Sequence, residues 1–316
     1  MRLLNHRALA CLSEVAKRGS IRKAAAHLHI DASALSRHIK NLEETLSITL
    51  CERQGNGMCP TEAGRLLVKH YHTQRSAEEA LFSQIMAIQG LARGEVRIAV
   101  GEGFLSDLIA APLQSFMSAF EGIDIEVRIA GVNEAIELVK AMEVNLALLY
   151  APPTDPLLKC HVETCQPLDL IVPPEHPLLS LNRPIQLKEL QGLPLGLMDN
   201  PFGMRQMVNM VAQQERIYLH ARLHTNSVTV LKKFVRSGIG VTFMPELTVA
   251  AELHRGEIHA LPMAHSILNS ACAQIVSLAG HELTLSAKAC VAHLRQRMHF
   301  FRADAPRLSG QRVLFY

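Results

Sequence analysis

No segment of the 316-residue chain approaches the roughly 18 consecutive apolar residues that a membrane-spanning helix requires, so no membrane partner is predicted. The opening stretch, MRLLNHRALACLSEVAKRG, lacks the uninterrupted apolar centre of a secretory signal, because Asn5, His6 and Arg7 come too early. Cysteine is sparse and odd in number, and 7 residues spread from Cys11 to Cys290 do not make an extracellular disulfide framework. These absences together predict a cytoplasmic protein. Signatures of catalysis are missing as well. GEGFLS lacks the Walker lysine and the third glycine of a dinucleotide fingerprint, and neither GxSxG nor HExxH occurs. No nucleophile, base and oxyanion donor can be assembled, so the chain does not read as an enzyme. His27 and His29, like His70 and His72, are two residues apart on expected helices and point to different faces. Neither pair predicts a metal site, and no cofactor is expected. Cys160 and Cys165 could form a redox pair, but nothing beside them marks a lowered thiol pKa, and inert thiols are the expectation.

What remains is an ordinary globular composition, 48% hydrophobic and 19% charged, at a length that favours two or three domains. The formal net charge of +3 conceals an asymmetry. Residues 1–75 carry 12 Lys+Arg against 6 Asp+Glu, whereas the rest of the chain is slightly acidic. A basic N-terminal quarter suggests a separate module with a polyanionic partner.

That quarter reads as helices. Over residues 2–18, Leu4, Ala8, Cys11, Leu12 and Val15 share one face, and Gly19 is a stop. Ser20 caps a second, alanine-rich helix from Ile21 to His29. Asp31 is an N-cap residue, so a third helix begins at Ala32. Leu35, Ile39, Leu42 and Leu46 are spaced four, three and four apart and form one buried stripe. At about 100° per residue, Ser33, Ser36, Arg37 and Lys40 gather on the opposite side. A short helix, a tight turn and a helix exposing such groups form the helix-turn-helix plan, in which Arg reads guanine edges in the major groove. Taken alone, the four residues also fit a solvated helix face.

The following segment adds to the pattern. SITLCERQGNGMC has β-prone residues on either side of Gly55-Asn56-Gly57, a hairpin signal, with Arg53 near its tip. Thr61 then caps a long helix in which Leu67, Tyr71, Gln74, Glu78, Leu81, Ile85 and Ile88 recur at alternating steps of four and three. Such a seam suits a dimerising helix, with burial against its own domain as the alternative.

GSIRKAAAHLHIDASALSRHIKNLEETLSITLCER followed by PTEAG resembles the winged helix-turn-helix of the LysR-type transcriptional regulators. The resemblance is carried by Ala24, Ala25, Leu28, Asp31, Ala34 to Arg37, Ile39, Leu42, Glu43, Leu46, Leu50, Arg53, Thr61 and Gly64. It implies DNA contacts from Ala32, Ser33, Ser36, Arg37, Lys40 and Arg53, and a homodimer or homotetramer on double-stranded DNA. Ala32 and Ser33 stand where the family often carries Gln and Pro.

From Glu95 onward, short apolar runs alternate with helical segments. VRIAV, IDIEVRI, NLALLY, PLDLIVP, LPLGLM, LHARLHT, GVTFMP and AQIVSL read as strands, which implies parallel sheets covered on both faces. The length suggests two α/β lobes with a cleft between them, the chain crossing near 163–167 and returning near 264–272. The expected boundaries are 1–60 for the winged helix-turn-helix, 61–92 for the linker helix, 93–300 for the two-lobed domain and 301–316 for a tail. The family resemblance continues through RGEVRIAVGEG, EHPL and HTNSVTVLKKFVRSGIGVTFMP. It implies a domain similar to periplasmic solute-binding proteins, binding a small-molecule effector near strand ends and helix N-termini, where free N–H groups favour anions. The positions implied are Gly101, Glu102, Gly103, Asn133, Asn200, Phe202, Gly203, Thr225 and Asn226. Asn133 and Asn226 also read as simple helix caps, and Arg205 could face either an effector carboxylate or a neighbouring acid. The alternative to a regulator is a solute-binding or catalytic α/β protein whose N-terminal helices serve only for dimerisation.

Overall fold

The structure, a computed structural model, describes residues 4–54, 57–88 and 94–302. The chain divides into two compact units between Phe82 and Ser83. The first opens with α1 (His6–Arg18), whose end is fixed by Asn5 accepting from the N–H groups of Arg7 and Ala8 and by Gly19 in the left-handed region at φ 62°. Next come α2 (Ile21–His27), capped by Ser20, and α3 (Ala32–Leu46). Asp31 occupies the N-cap position of α3, but its side chain makes no capping bond. Leu9, Leu12, Val15, Leu35, Ile39 and Leu42 bury the facing stripes of α1 and α3 in one core. At about 1.5–3 kcal/mol per buried aliphatic side chain, this stripe sets which side of α3 faces outward.

The strands β1 (Cys51–Gln54) and β2 (Gly57–Pro60) form an antiparallel hairpin in which Gln54 opposes Gly57. Of the expected turn residues Gly55-Asn56-Gly57, Gly57 instead opens β2, and Gly55 and Asn56 lie outside the described residues. Glu43 ties the hairpin to α3, its Oε1 accepting from Leu50 N at 2.7 Å and Cys51 N at 3.3 Å. The hairpin also docks through Met58 N donating to Gly19 O at 2.8 Å. Then α4 (Glu62–Ile88) begins, with Thr61 Oγ1 accepting from Gly64 N at 3.1 Å. Gly64 is constrained to glycine, since a Cβ there would lie 2.1 Å from the carbonyl oxygen of Leu50.

The second unit runs β3 (Gly94–Val100), α5 (Leu105–Leu108), α6 (Gln114–Ala119), β4 (Ile123–Ile129), α7 (Val132–Lys140), β5 (Leu146–Tyr150) and β6 (Leu158–Cys165). It continues through β7 (Asp169–Val172), β8 (Leu195–Met198), α8 (Gly203–Gln214), β9 (Ala221–Thr225), α9 (Val228–Arg236) and β10 (Thr242–Met244). It closes with α10 (Ala250–His254), β11 (His259–Leu261), α11 (Ser266–Asn269), β12 (Cys272–Leu278) and α12 (Leu285–Arg297). The helix expected over LSDLIAAPLQSFMSAF is interrupted between α5 and α6 by a wide turn holding Pro112, whose missing N–H breaks the ladder.

These elements form two lobes. The first is a sheet in the order β4-β3-β5-β12-β6, and the second contains β10-β7-β11 and β8-β9, bridged by Leu195 and Val241. The expectation of all-parallel sheets is corrected here. β3 is parallel to β4 and β5, but β12 runs antiparallel to β5 and β6 because it carries the chain back from the second lobe. β7 is likewise antiparallel to β10 and β11. The outgoing and returning segments remain paired at the crossover, with Gln166 N donating to Ala271 O and Leu168 N to Leu268 O at 2.8 and 2.9 Å. Two strands carry no legible signal in the sequence. β6 is largely unburied, so its pattern does not alternate, and β11 is only 3 residues long.

Candidate nucleic-acid interface and ligand cleft

The outward face of α3 holds Ala32, Ser33, Ser36, Arg37 and Lys40, all exposed, while Leu35, Ile39 and Leu42 are buried beneath them. Lys40 Nζ lies 3.8 Å from Glu44 Oε1, with both side chains mostly in solvent. Water screens such a pair, so it holds Lys40 weakly. Arg53 is exposed on β1 opposite Met58. The hairpin and the start of α3 share a recess of about 470 Å³ lined by Ser20, Arg22, Ala32, Arg53, Gly57 and others. Arg22 was not expected there. Its signal in the sequence was an Arg just inside a capped helix, a position that reads as ordinary helix surface. The recess thus brings Arg22 and Arg53 beside Ala32 at the start of α3, two cations suited to polyanion backbones.

The seam expected on α4 divides. Leu67 and Tyr71 pack against the core of their own unit. The ring of Tyr71 lies 5.2 Å from that of His6, and His72 Nε2 is 3.1 Å from Ser13 Oγ, which is a structural use for that histidine. Gln74, Glu78, Leu81 and Ile85 are exposed, and the side chain of Ile88 lies outside the described residues. Among the described residues, no group of three or more His, Cys, Asp or Glu side chains could hold a metal ion.

Between the lobes of the second unit lies a cavity of about 30 Å³, lined by Gly101, Glu102, Gly103, Phe104, Leu148, Tyr150, Met198, Phe202, Gly203, Met204, Thr248, Phe300 and neighbouring apolar residues. That volume is about one water molecule's share of the liquid. Thus Gly101, Glu102, Gly103, Phe202 and Gly203 of the expected set come together, whereas Asn133, Asn200, Thr225 and Asn226 do not line the cavity. The reasons are local. Asn133 and Asn226 are exposed, and neither is a cap, since Gly131 and Ser227 hold the N-cap positions of α7 and α9. Thr225 Oγ1 accepts from Ser227 N at 3.1 Å and shapes the turn before α9. Asn200 faces Asn209, whose Nδ2 donates to its Oδ1 at 3.3 Å. The apolar lining was missed because Leu148 and Met198 sit in apolar runs that read as strands, and Phe300 arrives from beyond α12.

The lobes touch closely around the cavity. Val132 N donates to Pro201 O at 2.9 Å, and a Cβ on Gly203 would lie 2.0 Å from Tyr150 O. Glu102, at the end of β3, reaches the other lobe and accepts from Ser227 Oγ at 3.0 Å and Val228 N at 2.6 Å. Arg205 does not line the cavity and makes no direct ion pair with a neighbouring acid among the described residues. Its Nε and Nη1 are buried without a hydrogen-bond partner, and burial pushes its pKa down despite the nearby Asp199 charge.

Burial raises the pKa of Cys160, aided by the Glu163 charge, and pushes Cys290 up to about 12. Cys165 is not aligned with Cys160 but stands opposite Cys272 across the β6–β12 pair.

A basic helix-turn-helix unit followed by a two-lobed cleft domain defines a ligand-responsive regulator of transcription. Residues 6–65 match the bacterial regulatory helix-turn-helix protein family of lysR type, and residues 89–299 match the LysR substrate binding domain. The chain belongs to the LysR family of transcriptional regulators, and its relatives are regulators rather than enzymes. It is 30% identical over 256 residues to the RuBisCO operon transcriptional regulator of Allochromatium vinosum, covering 78% of this chain and 81% of that protein. It is 29% identical to the transcriptional dual regulator GltC of Bacillus subtilis, with 77% and 81% covered. A full-length OxyR variant from Pseudomonas aeruginosa matches with a TM-score of 0.68 at 16% identity, over 93% of this chain and 96% of that one. CbnR solved with its target DNA matches with a TM-score of 0.58, also at 16% identity, over 93% and 99%. Regulators of this family bind DNA and small-molecule effectors and act as oligomers. Among the described residues, no helix is long and apolar enough to cross a membrane.

Proposed function

We propose that this regulator reads double-stranded DNA by placing α3 in the major groove, with Ser33, Ser36, Arg37 and Lys40 toward base edges and phosphates and Ala32 against the groove wall. Arg53, joined by Arg22, contacts the flanking backbone or minor groove. The observation that carries this reading is the two-sided character of α3: a buried edge of Leu35, Ile39 and Leu42 beneath an edge of exposed hydroxyls and cations. Two modules paired through the exposed C-terminal part of α4, as a homodimer or homotetramer, suit a two-fold symmetric operator. The protein acts in the cytoplasm. A small molecule bound among Gly101, Glu102, Gly103, Phe202 and Gly203 shifts the population of lobe arrangements to the extent that it prefers one of them.

Retention of the full chain on the promoter fragment upstream of its own gene, followed across salt, tests the DNA reading. Phosphate contacts require affinity to fall steeply as salt rises. A chain retained at no salt concentration would instead be a solute binder whose N-terminal helices only dimerise. A thermal-shift screen of small carboxylates, amino acids and aromatic acids tests the effector reading, because a ligand that prefers the folded state raises its stability.

A further inference from the structure

The first turn of α9 is where an anionic ligand in the cleft would be expected, since the first N–H groups of a helix lack intrahelical partners and carry partial positive charge. In this chain those donors are already engaged. Glu102 Oε2 accepts from Val228 N at 2.6 Å, and Oε1 accepts from Ser227 Oγ at 3.0 Å and Thr229 N at 3.4 Å. Ser227 Oγ in turn accepts from Val230 N at 3.4 Å. The donors come from the second lobe, while Glu102 extends from β3 in the first lobe. Among the described residues lining the cavity, Glu102 is the only carboxylate, and no Lys, Arg or His is present to offset it.

We propose that Glu102 is a tethered carboxylate that fills the anion subsite of the cleft from within the chain, clasps the two lobes together, and so sets the ligand class of this regulator to small uncharged or cationic molecules. This deepens the effector reading above and rests on it. An incoming carboxylate has to displace Glu102 from Val228 and Ser227 and then share a largely apolar pocket with the displaced charge. Taking two like charges out of water together is costly, whereas an apolar or cationic group meets no such penalty. Two other contacts between the lobes have less grip. Val132 N to Pro201 O is a neutral pair, and Thr248 Oγ1 meets Gly103 O at a long 3.4 Å. The bonds to Glu102 are charge-assisted and correspondingly stronger.

Hydrogen exchange read by mass spectrometry on the full-length protein tests the clasp, comparing wild type with Glu102→Ala, without and with acetate, and with acetamide as the uncharged control. Losing charge-assisted bonds should raise exchange about tenfold or more in the segments around Val132, Phe202 and Val228 alike. Acetate, but not acetamide, should restore protection in the variant and leave wild type unchanged. Faster exchange confined to the start of α9 would reduce Glu102 to a local helix cap and overturn the clasp. A wild type as responsive to acetate as the variant, or a variant that acetate does not restore, would overturn the filled subsite. Should Glu102→Ala fail to fold, Glu102→Gln keeps the shape without the charge and should loosen both sides of the cleft to a smaller degree; unchanged exchange in it would also sink the proposal. Promoter retention of the same proteins separates the two readings. Wild type that never binds DNA would remove the regulator reading and leave the clasp standing.

Discussion

The face of α3 and the cleft between the lobes solve opposite problems. On α3 the hydroxyls and cations point away from the core and are held by nothing but the helix, so Arg37 and Lys40 stay exposed while Leu35 is sealed beneath them. In the cleft the polar groups point inward and are consumed by the chain itself: Glu102 by Ser227 and Val228, Val132 N by Pro201 O. The contrast teaches that an outward site is specified by one element's periodicity, whereas an inward site is specified by how two elements meet. It also explains why the exposed face of α3 was legible in the sequence and the lining of the cavity only in part.

The comparison can be broken most severely from below. Leu35→Ala should cost about 2–5 kcal/mol, the usual range for a cavity in a sealed core. Since Leu35 belongs to the N-terminal core, thermal unfolding should show the first unit melting early and the second unchanged. Next in size, Gly203→Ala should cost about 1–3 kcal/mol by overpacking, because its Cβ meets the Tyr150 carbonyl across the lobes. There the second unit should melt early, the reverse of the Leu35 result. Arg37→Ala should leave both melting transitions in place and weaken operator binding by about 1–3 kcal/mol, relaxing base preference at one position. Unchanged operator affinity would show that α3 is docked otherwise. Arg53→Ala should act more weakly, lowering the salt dependence of binding by about one phosphate contact across all sequences.

The smallest expected effect is a pH dependence confined to the second unit. The hydrogen-bonded Arg183 guanidinium, followed by the Gln186 N–H, holds the Glu189 carboxyl at about 2, below its ordinary 4.5. A carboxyl with a depressed folded pKa stabilises above its unfolded pKa, and that contribution fades as pH falls from 4.5 toward 2. The stability difference between wild type and Glu189→Gln should therefore be present above pH 4.5, shrink through that window, and be absent at its acid end. Because the pair is partly in water, the difference should be small.

Legibility followed the same division. The helices α1 to α3 were readable because Leu35, Ile39 and Leu42 repeat at helical spacing, and the hairpin because β-prone residues stand on either side of Gly55-Asn56-Gly57. Most strands of the second unit were readable as apolar runs. Their directions were not, since nothing in Cys272–Leu278 records that it returns from another lobe. Helix caps were legible only to the nearest few residues. Ser20, Thr61 and Ser227 cap through their side chains, while Asp31 holds its place without doing so and Gly131 takes the place expected of Asn133.

By itself, the sequence determined the family, the basic N-terminal unit and the side of α3 that faces out, because each depends on residues close along the chain sharing one period or one motif. Only the tertiary structure decided that Glu102 meets Val228, that Phe300 closes the cavity, and that Leu67 and Tyr71 are spent on their own unit. Those contacts join residues far apart in the chain, and the geometry that unites them is set by packing that no local pattern encodes.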